Sequence, residues 1–353
     1  MSEERVIERL RARVGTTING KYKLEALLGV GGMAAVYSAT HRNGDRVALK
    51  VLHGELSRVA DIRARFLREG YVANKIGHAG VVRVIDDDSA PDGCVYLVME
   101  LLEGHTLEQR RLQAGGRLPI GDALAIGGDV LDILGAAHLQ RIIHRDIKPD
   151  NVFLTTGGVA KLMDFGIARL LDASHATASG ALMGTPAFMS PEQAGGRTKE
   201  IDARTDVWSA GALLFVLLTG EEVHRARTGT EQMIYAATQP ARSITSIMPE
   251  LAGEVAHVID VALAFDMRNR WQTAVAMRNA LRYSVGRASV PPAAPAQQPS
   301  QPPPPVEESS AVRRVAAAAI APPVSSTATI IQGSGDPSEI TRVPTIIDPT
   351  SKR

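Results

Sequence analysis

Two short polar stretches hold the residues whose types and spacing are best suited to chemistry. The first, "IIHRDIKPDN", covers residues 142–151 and carries Asp146, Lys148 and Asn151 in one loop after a helical pattern. A carboxylate and an amide five residues apart can take different roles around one metal–phosphate group. The second, "KLMDFGIAR", places Asp164 beside Phe165 after an apolar strand. Either acid alone could simply accept bonds from backbone amides, but the combination, in this order, favours a catalytic site.

A glycine-rich stretch near the N-terminus could form a phosphate-binding loop. In "LLGVGGMAAVYSA", Gly29, Gly31 and Gly32 lie between two predicted strands, and Ala34 stands where a third glycine could be. Glycine lets the backbone approach a ligand closely or adopt a positive φ. Taken alone, the pattern favours an ordinary hairpin turn. Lys50, which ends "VALK", would be the partner that a phosphate loop needs, although a lysine there is also typical of a solvated strand end.

The overall composition argues against several classes of function. The chain has 353 residues and a formal net charge of +1, so no global basic field draws it to nucleic acid or membrane. The N-terminus lacks the apolar segment of a signal peptide, and the longest apolar run, Val207–Leu218, is shorter than a membrane helix of ~20 residues. We interpret the single cysteine, Cys94, as a buried apolar group. We expect a soluble, cytoplasmic protein that binds neither nucleic acid nor membrane.

The predicted elements are mostly strands in the first third of the folded region and mostly helices in the rest. Short runs rich in branched residues predict strands at "YKLEALLGV", "MAAVYSAT", "DRVALKVL", "VVRVID" and "CVYLVMEL". Between them, residues 58–77 have apolar positions at helical spacing and end in glycine. Helices dominate from "TLEQRRL" onward, and a proline-rich composition begins near Ser289. We therefore predict an α+β fold with two unequal lobes, followed by a disordered tail.

The ordered set of motifs resembles the bacterial eukaryotic-like Ser/Thr protein kinases. The resemblance runs from Tyr22 to about Ser284 and rests on the glycine loop, "VALK", "FLRE", "VMELLEG", "HRDIKPDN", "DFG", "GTPAFMSPE", "DVWSAG" and "FDMRNRW". It implies the bilobal protein kinase fold, with a small antiparallel-sheet lobe that contains one main helix and a larger helical lobe. The implied organisation is a polar arm at 1–20, a kinase domain at 21–286 and a tail at 287–353. Within the domain, the N-lobe covers about 21–99, the hinge 100–104 and the C-lobe 105–286.

The resemblance implies transfer of the ATP γ-phosphate to protein hydroxyls, with Mg²⁺ or Mn²⁺. Lys50 would hold the α- and β-phosphates and pair with Glu69 of "FLRE". Asp146 would orient the substrate hydroxyl and accept its proton, and Lys148 would stabilise the transferred group. Asn151 and Asp164 would bind the metal. The residues around the nucleotide would be Leu28, Gly29, Val30, Gly31, Gly32, Val36, Ala48, Met99, Glu100, Leu102 and Phe153, together with Lys50.

The same resemblance implies structural and regulatory roles. Ala73, Val84, His144 and Phe165 would stack into a column that couples the lobes. An arginine before the catalytic aspartate, here Arg145, usually accompanies control by activation-loop phosphorylation. The candidate phosphorylation sites are Thr177, Ser179 and Ser174. The structural residues are Thr185 in the peptide platform, the pair Glu192 and Arg270, and Asp206, which would brace the catalytic loop.

Two further hypotheses concern partners and an alternative function. Thr345, with Asp348 three residues later, resembles a target of phosphothreonine-reading forkhead-associated domains, and Thr341 is a second candidate. Trans-autophosphorylation would require a transient homodimer. The alternative to an active kinase is a pseudokinase that binds nucleotide and recruits partners through its tail. A kinase of small metabolites is disfavoured by the long segment that ends in "GTPAFMSPE".

Overall fold

The computed structural model describes residues 3–165, 186–251 and 253–288. The predicted phosphorylation sites Ser174, Thr177 and Ser179, the platform residue Thr185, and the tail residues Thr341 and Thr345 lie outside these ranges. Within them, no helix combines the length and the hydropathy that a membrane crossing requires.

A six-stranded antiparallel sheet forms the N-terminal lobe. Its strands are β1 (Thr17–Ile18), β2 (Tyr22–Val30), β3 (Ala34–His41), β4 (Arg46–Leu52), β5 (Val84–Ser89) and β6 (Val95–Glu100), in the order β1-β2-β3-β4-β6-β5. The side-chain amide of Asn19, next to β1, donates to Asp88 and to the carbonyl of Ser89 in β5, both at 2.9 Å. Because β1 and β5 are opposite edges, these bonds require the sheet to curl until its edges meet.

Alternation along β4 decides which residues face the functional side of the sheet. Val47, Leu49 and Val51 belong to one buried cluster, which also receives Leu10 from helix α1 (Glu3–Arg11). A one-turn helix, α2 (Gly54–Ser57), follows β4 in the chain. Leu52 belongs to the cluster on the opposite face, where Phe66 of α3 (Ala60–Ile76) packs. Since side chains of a strand alternate with period two, Lys50 shares the face of Leu52 and points to the α3 side.

Helix α3 lies close against the sheet because its contact face carries small residues. Gly70 and Ala73 are buried on this face. A Cβ atom at Gly70 would lie only 3.1 Å from Leu97 of β6 and 3.3 Å from Val84 of β5. The helix ends at Gly77, whose φ of 64° is the left-handed conformation that favours glycine. This close packing brings Glu69, the neighbour of Gly70, to the sheet.

The helices of the C-terminal lobe are α4 (Leu107–Gln113), α5 (Ile120–Leu139), α6 (Pro191–Ala194), α7 (Ala203–Thr219), α8 (Gly229–Thr238), α9 (Gly253–Ala262) and α10 (Ala274–Ala288). All of them except α6 and α8 contribute buried residues to one core. A small sheet of β7 (Gly104–Thr106), β8 (Val152–Thr155) and β9 (Ala160–Leu162) lies beside them. The predicted α+β architecture of two unequal lobes is thus confirmed in the described residues.

A fully buried ion pair joins α6 to the chain before α10. Arg270 donates to both carboxylate oxygens of Glu192 at 3.0 and 2.9 Å, and neither side chain is exposed to solvent. Arg270 also donates to the carbonyl oxygens of Ala264, Arg204 and Phe265. Because every polar group of the pair has partners, the cost of burying two charges is offset. The pair holds α6 against the helical core.

We expect loss of this ion pair to destabilise the protein strongly. Replacing Arg270 with alanine leaves the Glu192 carboxylate buried without its counter-charge, which typically costs about 3–5 kcal/mol. The matched control is Arg268→Ala, because Arg268 pairs with Asp266 only two residues away, yet its side chain is 84% exposed. That variant should unfold like the wild type in a urea titration. Equal losses of stability in the two variants would contradict the proposed importance of the buried pair.

The same pair predicts a dependence of stability on pH. Burial alone would raise the pKa of Glu192, but the hydrogen bonds and charge of Arg270 lower it below its ordinary value of 4.5. A lowered pKa means that the stabilisation is complete above the unfolded-state value and disappears as pH falls through the folded-state value. The difference in stability between wild type and Glu192→Gln should therefore narrow below about pH 4. Urea titrations between pH 7 and 3 would measure it, and a constant difference would refute the linkage.

Candidate active site

A cavity of about 240 Å³ lies between the N-terminal sheet, α3 and the β8–β9 hairpin. Nine of the residues predicted to surround a nucleotide line it: Leu28, Gly29, Val36, Ala48, Lys50, Met99, Glu100, Leu102 and Phe153. The other three, Val30, Gly31 and Gly32, lie at the tip of the β2–β3 hairpin and are not among the lining residues. The walls are mostly apolar, as expected of a site that takes a flat ring system.

The sequence analysis missed several residues of the cavity wall. Gly70, Leu97, Leu101 and Thr106 line the cavity, and so do three residues at or beside the β8–β9 hairpin: Val82, Leu162 and Met163. An isolated apolar residue in a strand cannot be distinguished from core by sequence pattern. Val82 is brought to the hairpin by its N–H, which donates to the carbonyl oxygen of Leu162 at 3.3 Å.

The segment that connects the lobes is held by a contact that the sequence analysis also missed. The carboxylate of Glu100 accepts from Lys161 of β9 at 2.5 Å and from the backbone N–H of Arg83 at 2.8 Å. The N–H of Glu100 donates to the carbonyl oxygen of Arg83 at 3.0 Å. The side chain and the N–H of Glu100 are therefore engaged on the protein side, which leaves its carbonyl oxygen as the group that can meet a ligand in the cavity.

Lys50 lies between two carboxylates that come from different elements. Its ammonium group is 2.5 Å from Asp164, just after β9, and 3.4 Å from Glu69 of α3. Burial would lower the pKa of Lys50, but the two carboxylates raise it above its ordinary value, so the ammonium group stays charged. Burial raises the pKa of Glu69 to about 7, against the effect of Lys50. Desolvation would raise the pKa of the nearer carboxylate, Asp164, but the charge and the hydrogen bond of Lys50 lower it below its ordinary value, and its side chain is 48% exposed.

The polar loop gathers three of the predicted catalytic residues. The carboxylate of Asp146 accepts a hydrogen bond from the amide of Asn151 at 2.9 Å and lies 3.2 Å from the ammonium group of Lys148. The amide of Asn151 also donates to the carbonyl oxygen of Asp146 at 2.7 Å. A single 3-10 turn at Pro149–Asn151 reverses the chain and makes these contacts possible. The loop thus presents one carboxylate, one cation and one amide in a fixed arrangement.

The polar loop at residues 142–151 is held in place by hydrogen bonds to a buried carboxylate on α7. Asp206, which has no exposed surface, accepts from the backbone N–H groups of His144 and Arg145, both at 2.8 Å. It also contacts the ring Nε2 of His138 on α5 at 2.8 Å, a partner that the sequence analysis did not identify. Arg145 has a φ of 68°, a left-handed conformation that is costly for a residue with a side chain. The two backbone bonds to Asp206 stabilise this conformation.

His144 ties the polar loop to the segment that carries Asp164. Its Nε2 donates to the carbonyl oxygen of Met163 at 2.9 Å, and its Nδ1 accepts from the N–H of Asp146 at 3.2 Å. Burial lowers the pKa of His144, so the ring is neutral and can both donate and accept. Its ring centroid is 4.6 Å from that of Phe165. This histidine therefore acts as a packed connector between Asp146 and Asp164.

Asn151 and Asp164 suit a hard divalent cation. They flank the two paired strands of the β8–β9 hairpin, in which Val152 pairs with Leu162, and the N–H of Met163 donates to the carbonyl oxygen of Asn151 at 2.8 Å. The amide nitrogen of Asn151 is engaged by Asp146, so the amide oxygen is the atom available to a metal. Two oxygen ligands fit Mg²⁺, which completes its shell with phosphate oxygens and water. In the described part of the chain, no cluster of three or more His, Cys, Asp or Glu offers a different metal site.

The half-buried side chain of Arg145 has two buried nitrogen atoms without a hydrogen bond among the described residues. Its Nε and one terminal nitrogen have no hydrogen bond there, although both atoms are shielded from solvent. Burial lowers the pKa of Arg145, and only Asp206 opposes that effect. A half-buried guanidinium group with such unpaired donors is suited to receive an anion.

Comparisons with known proteins agree with this geometry. The model of the protein kinase domain family matches residues 22–281. The chain is 37% identical over 272 residues to the serine/threonine-protein kinase Pkn1 of Myxococcus xanthus, covering 75% of this chain and 38% of Pkn1. It is 36% identical over 285 residues to the serine/threonine-protein kinase PknB of Mycolicibacterium smegmatis, covering 77% and 44%. The chain thus spans about two fifths of the length of these curated relatives.

Solved structures give the same result. The kinase domain of PknI from Mycobacterium tuberculosis superposes with a TM-score of 0.60 at 27% identity, covering 76% of this chain and 98% of that chain. A structure of Rad53 in complex with AMP-PNP superposes with a TM-score of 0.59 at 25% identity, covering 74% and 64%. The motifs, the fold and these relatives agree. The chain belongs to the protein kinase domain family, among the bacterial eukaryotic-like Ser/Thr protein kinases.

Proposed function

We propose that this chain is an active Ser/Thr protein kinase that transfers the γ-phosphate of ATP to hydroxyl groups of proteins. One observation carries the proposal. Two charged clusters are neighbours: the first, Lys50 with its two carboxylates, lines the cavity. The second, Asp146 with Lys148 and Asn151, is close enough for Asp146 and Lys148 to act electrostatically on Glu69 and Asp164. Phosphoryl transfer depends mostly on positioning and charge neutralisation, which is the kind of work that such clusters can do.

Each residue of the two clusters has a distinct proposed role. Lys50 binds the α- and β-phosphates, and Glu69 keeps its ammonium group in place. Asp146 orients the substrate hydroxyl and accepts its proton, while Lys148 neutralises charge on the transferred group. Asn151 and Asp164 supply the protein oxygens for Mg²⁺ or Mn²⁺, which would neutralise the phosphates when bound. The cavity wall from Leu28 to Phe153 takes the adenine ring, in keeping with the nucleotide analogue bound by the structural relative Rad53.

We also propose a cytoplasmic enzyme that phosphorylates itself in a transient homodimer. Autophosphorylation of the tail at Thr345 or Thr341 would create a site for a forkhead-associated domain. The curated relatives support protein hydroxyls as substrates, because those that we compared are named as Ser/Thr protein kinases.

The first test is phosphate transfer from labelled ATP with Mg²⁺, measured on the full chain and on a generic protein substrate. We expect Asp146→Asn to lose about 100-fold or more of the rate, because the amide cannot accept the proton from the hydroxyl. The matched control is Asp122→Asn, which makes the same change at an exposed position of α5. Mapping of the labelled residues in the same samples would report on Thr177, Ser179, Ser174, Thr341 and Thr345.

The contrary result is equally informative. If the wild type binds ATP but neither it nor the variant transfers phosphate, the pseudokinase alternative replaces the proposal. A generic substrate that is labelled equally by wild type and Asp146→Asn would instead remove Asp146 from its proposed role.

We propose further that phosphorylation between Asp164 and Glu192 activates the enzyme by giving Arg145 an anionic partner. Phosphatase treatment should therefore reduce the rate of the wild type about tenfold or more, since a phosphate forms charge-assisted bonds to a guanidinium group. In Arg145→Gln the treated and untreated enzymes should have similar low rates. Mass spectrometry would follow the modification, and a fully active wild type without loop phosphate would exclude this regulation.

A further inference from the structure

The tip of the β2–β3 hairpin has few side chains to hold it. Gly31 and Gly32 are exposed, and a Cβ atom at Gly29 would have no neighbour within 4 Å. A Cβ atom at Gly31 would touch only the carbonyl oxygen of Ala34, at 3.5 Å. The glycines that permit close approach to phosphates therefore also remove the packing that would order the loop. Within the tip, the N–H of Gly31 donates to the carbonyl oxygen of Ala34 at 2.9 Å, and further hydrogen bonds come from outside the loop.

His53 supplies two such hydrogen bonds. Its backbone N–H donates to the carbonyl oxygen of Met33 at 2.9 Å, and its ring Nε2 lies 2.9 Å from the carbonyl oxygen of Gly31. A carbonyl oxygen only accepts, so the ring must carry its proton on Nε2. The position follows from the sheet register. Ala34 pairs with Leu52 at the end of β4, so the next residue, His53, leaves the strand beside the tip.

We propose that His53 is a positioning residue for the phosphate-covering loop, acting through the Gly31–Gly32 peptide. The proposal rests on the proposed kinase function, in which this loop covers the phosphates of ATP. A trans peptide is planar, so fixing the carbonyl of Gly31 also fixes the N–H of Gly32, which points in the opposite direction. That N–H becomes a pre-oriented donor for a phosphate oxygen, and binding no longer has to order it.

Mutation of His53 can remove the hydrogen bond between its ring and Gly31 without removing the backbone hydrogen bond to Met33. The backbone bond to Met33 persists in any variant, so a change of side chain removes only the contact to Gly31. Glutamine carries a neutral N–H donor at a similar distance from its Cα, whereas alanine carries none.

Binding of AMP-PNP with Mg²⁺ to the full chain, measured by calorimetry, tests the proposal. We expect His53→Ala to raise Kd about 3- to 10-fold, the range that one hydrogen bond provides, and His53→Gln to recover most of the loss. The control is His257→Ala, which removes an exposed histidine from α9. In steady-state assays, His53→Ala should raise KM for ATP by a similar factor and leave kcat within about twofold, since the catalytic cluster is unchanged.

The outcomes distinguish this inference from the function on which it rests. Equal Kd values for wild type and His53→Ala would overturn the role of His53 and leave the kinase proposal intact. Equal weakening in His53→Ala and His53→Gln, or a loss of kcat without a change of KM, would also overturn it, because either would indicate a general structural role. Failure of all four proteins to bind the nucleotide would contradict the kinase proposal itself, and the inference with it.

Discussion

The buried carboxylate of Asp206 is the constraint on which the candidate site depends. It lies in the interior of the C-terminal lobe, where an isolated charge would be very costly, and three N–H donors surround it. Two of those donors are consecutive backbone groups of the polar loop, so the carboxylate cannot be satisfied unless the loop takes one particular path. That path holds Arg145 in a left-handed conformation and places the next residue, Asp146, against Lys148 and Asn151. The hydrogen bonds that stabilise one buried charge thus also position Asp146, the proposed catalytic base.

A second constraint operates between the lobes. Lys50 comes from the N-terminal sheet, Glu69 from the helix packed on it, and Asp164 from the end of the small hairpin in the other lobe. Burial raises the pKa of Glu69, and Lys50, which lies nearer to Asp164 than to Glu69, only partly opposes that effect. A ligand that brings negative charge to Lys50 or positive charge to Asp164 would change this balance. The relative position of α3 and the hairpin is therefore coupled electrostatically to what the cavity holds.

Residue types and spacing in the sequence predict much of the site, but long-range partners escape this kind of inference. Alternation in "RVALKVL" is enough to place Lys50 on the face of β4 opposite Val47, Leu49 and Val51. Nothing local to Asp206 indicates His138 as its third donor, 68 residues away. Similarly, nothing near Glu100 indicates Lys161, and nothing near the first strand indicates that Asn19 closes the sheet on Asp88. These contacts arise only when separate elements pack, and the polar residues involved look like ordinary surface residues in the sequence.

The alanine in the glycine loop illustrates how packing can reverse a sequence argument. As a departure from a three-glycine pattern, Ala34 could be taken to damage the phosphate loop. In the structure it is the first residue of β3, only 6% exposed, and it packs in the cluster that contains Leu52 and Phe66. Its methyl group thus points into the core of the lobe and not toward the hairpin tip. A glycine there would lose buried apolar contact and gain backbone freedom next to the tip, so alanine makes the loop better defined and leaves the flexible glycines where a phosphate would lie.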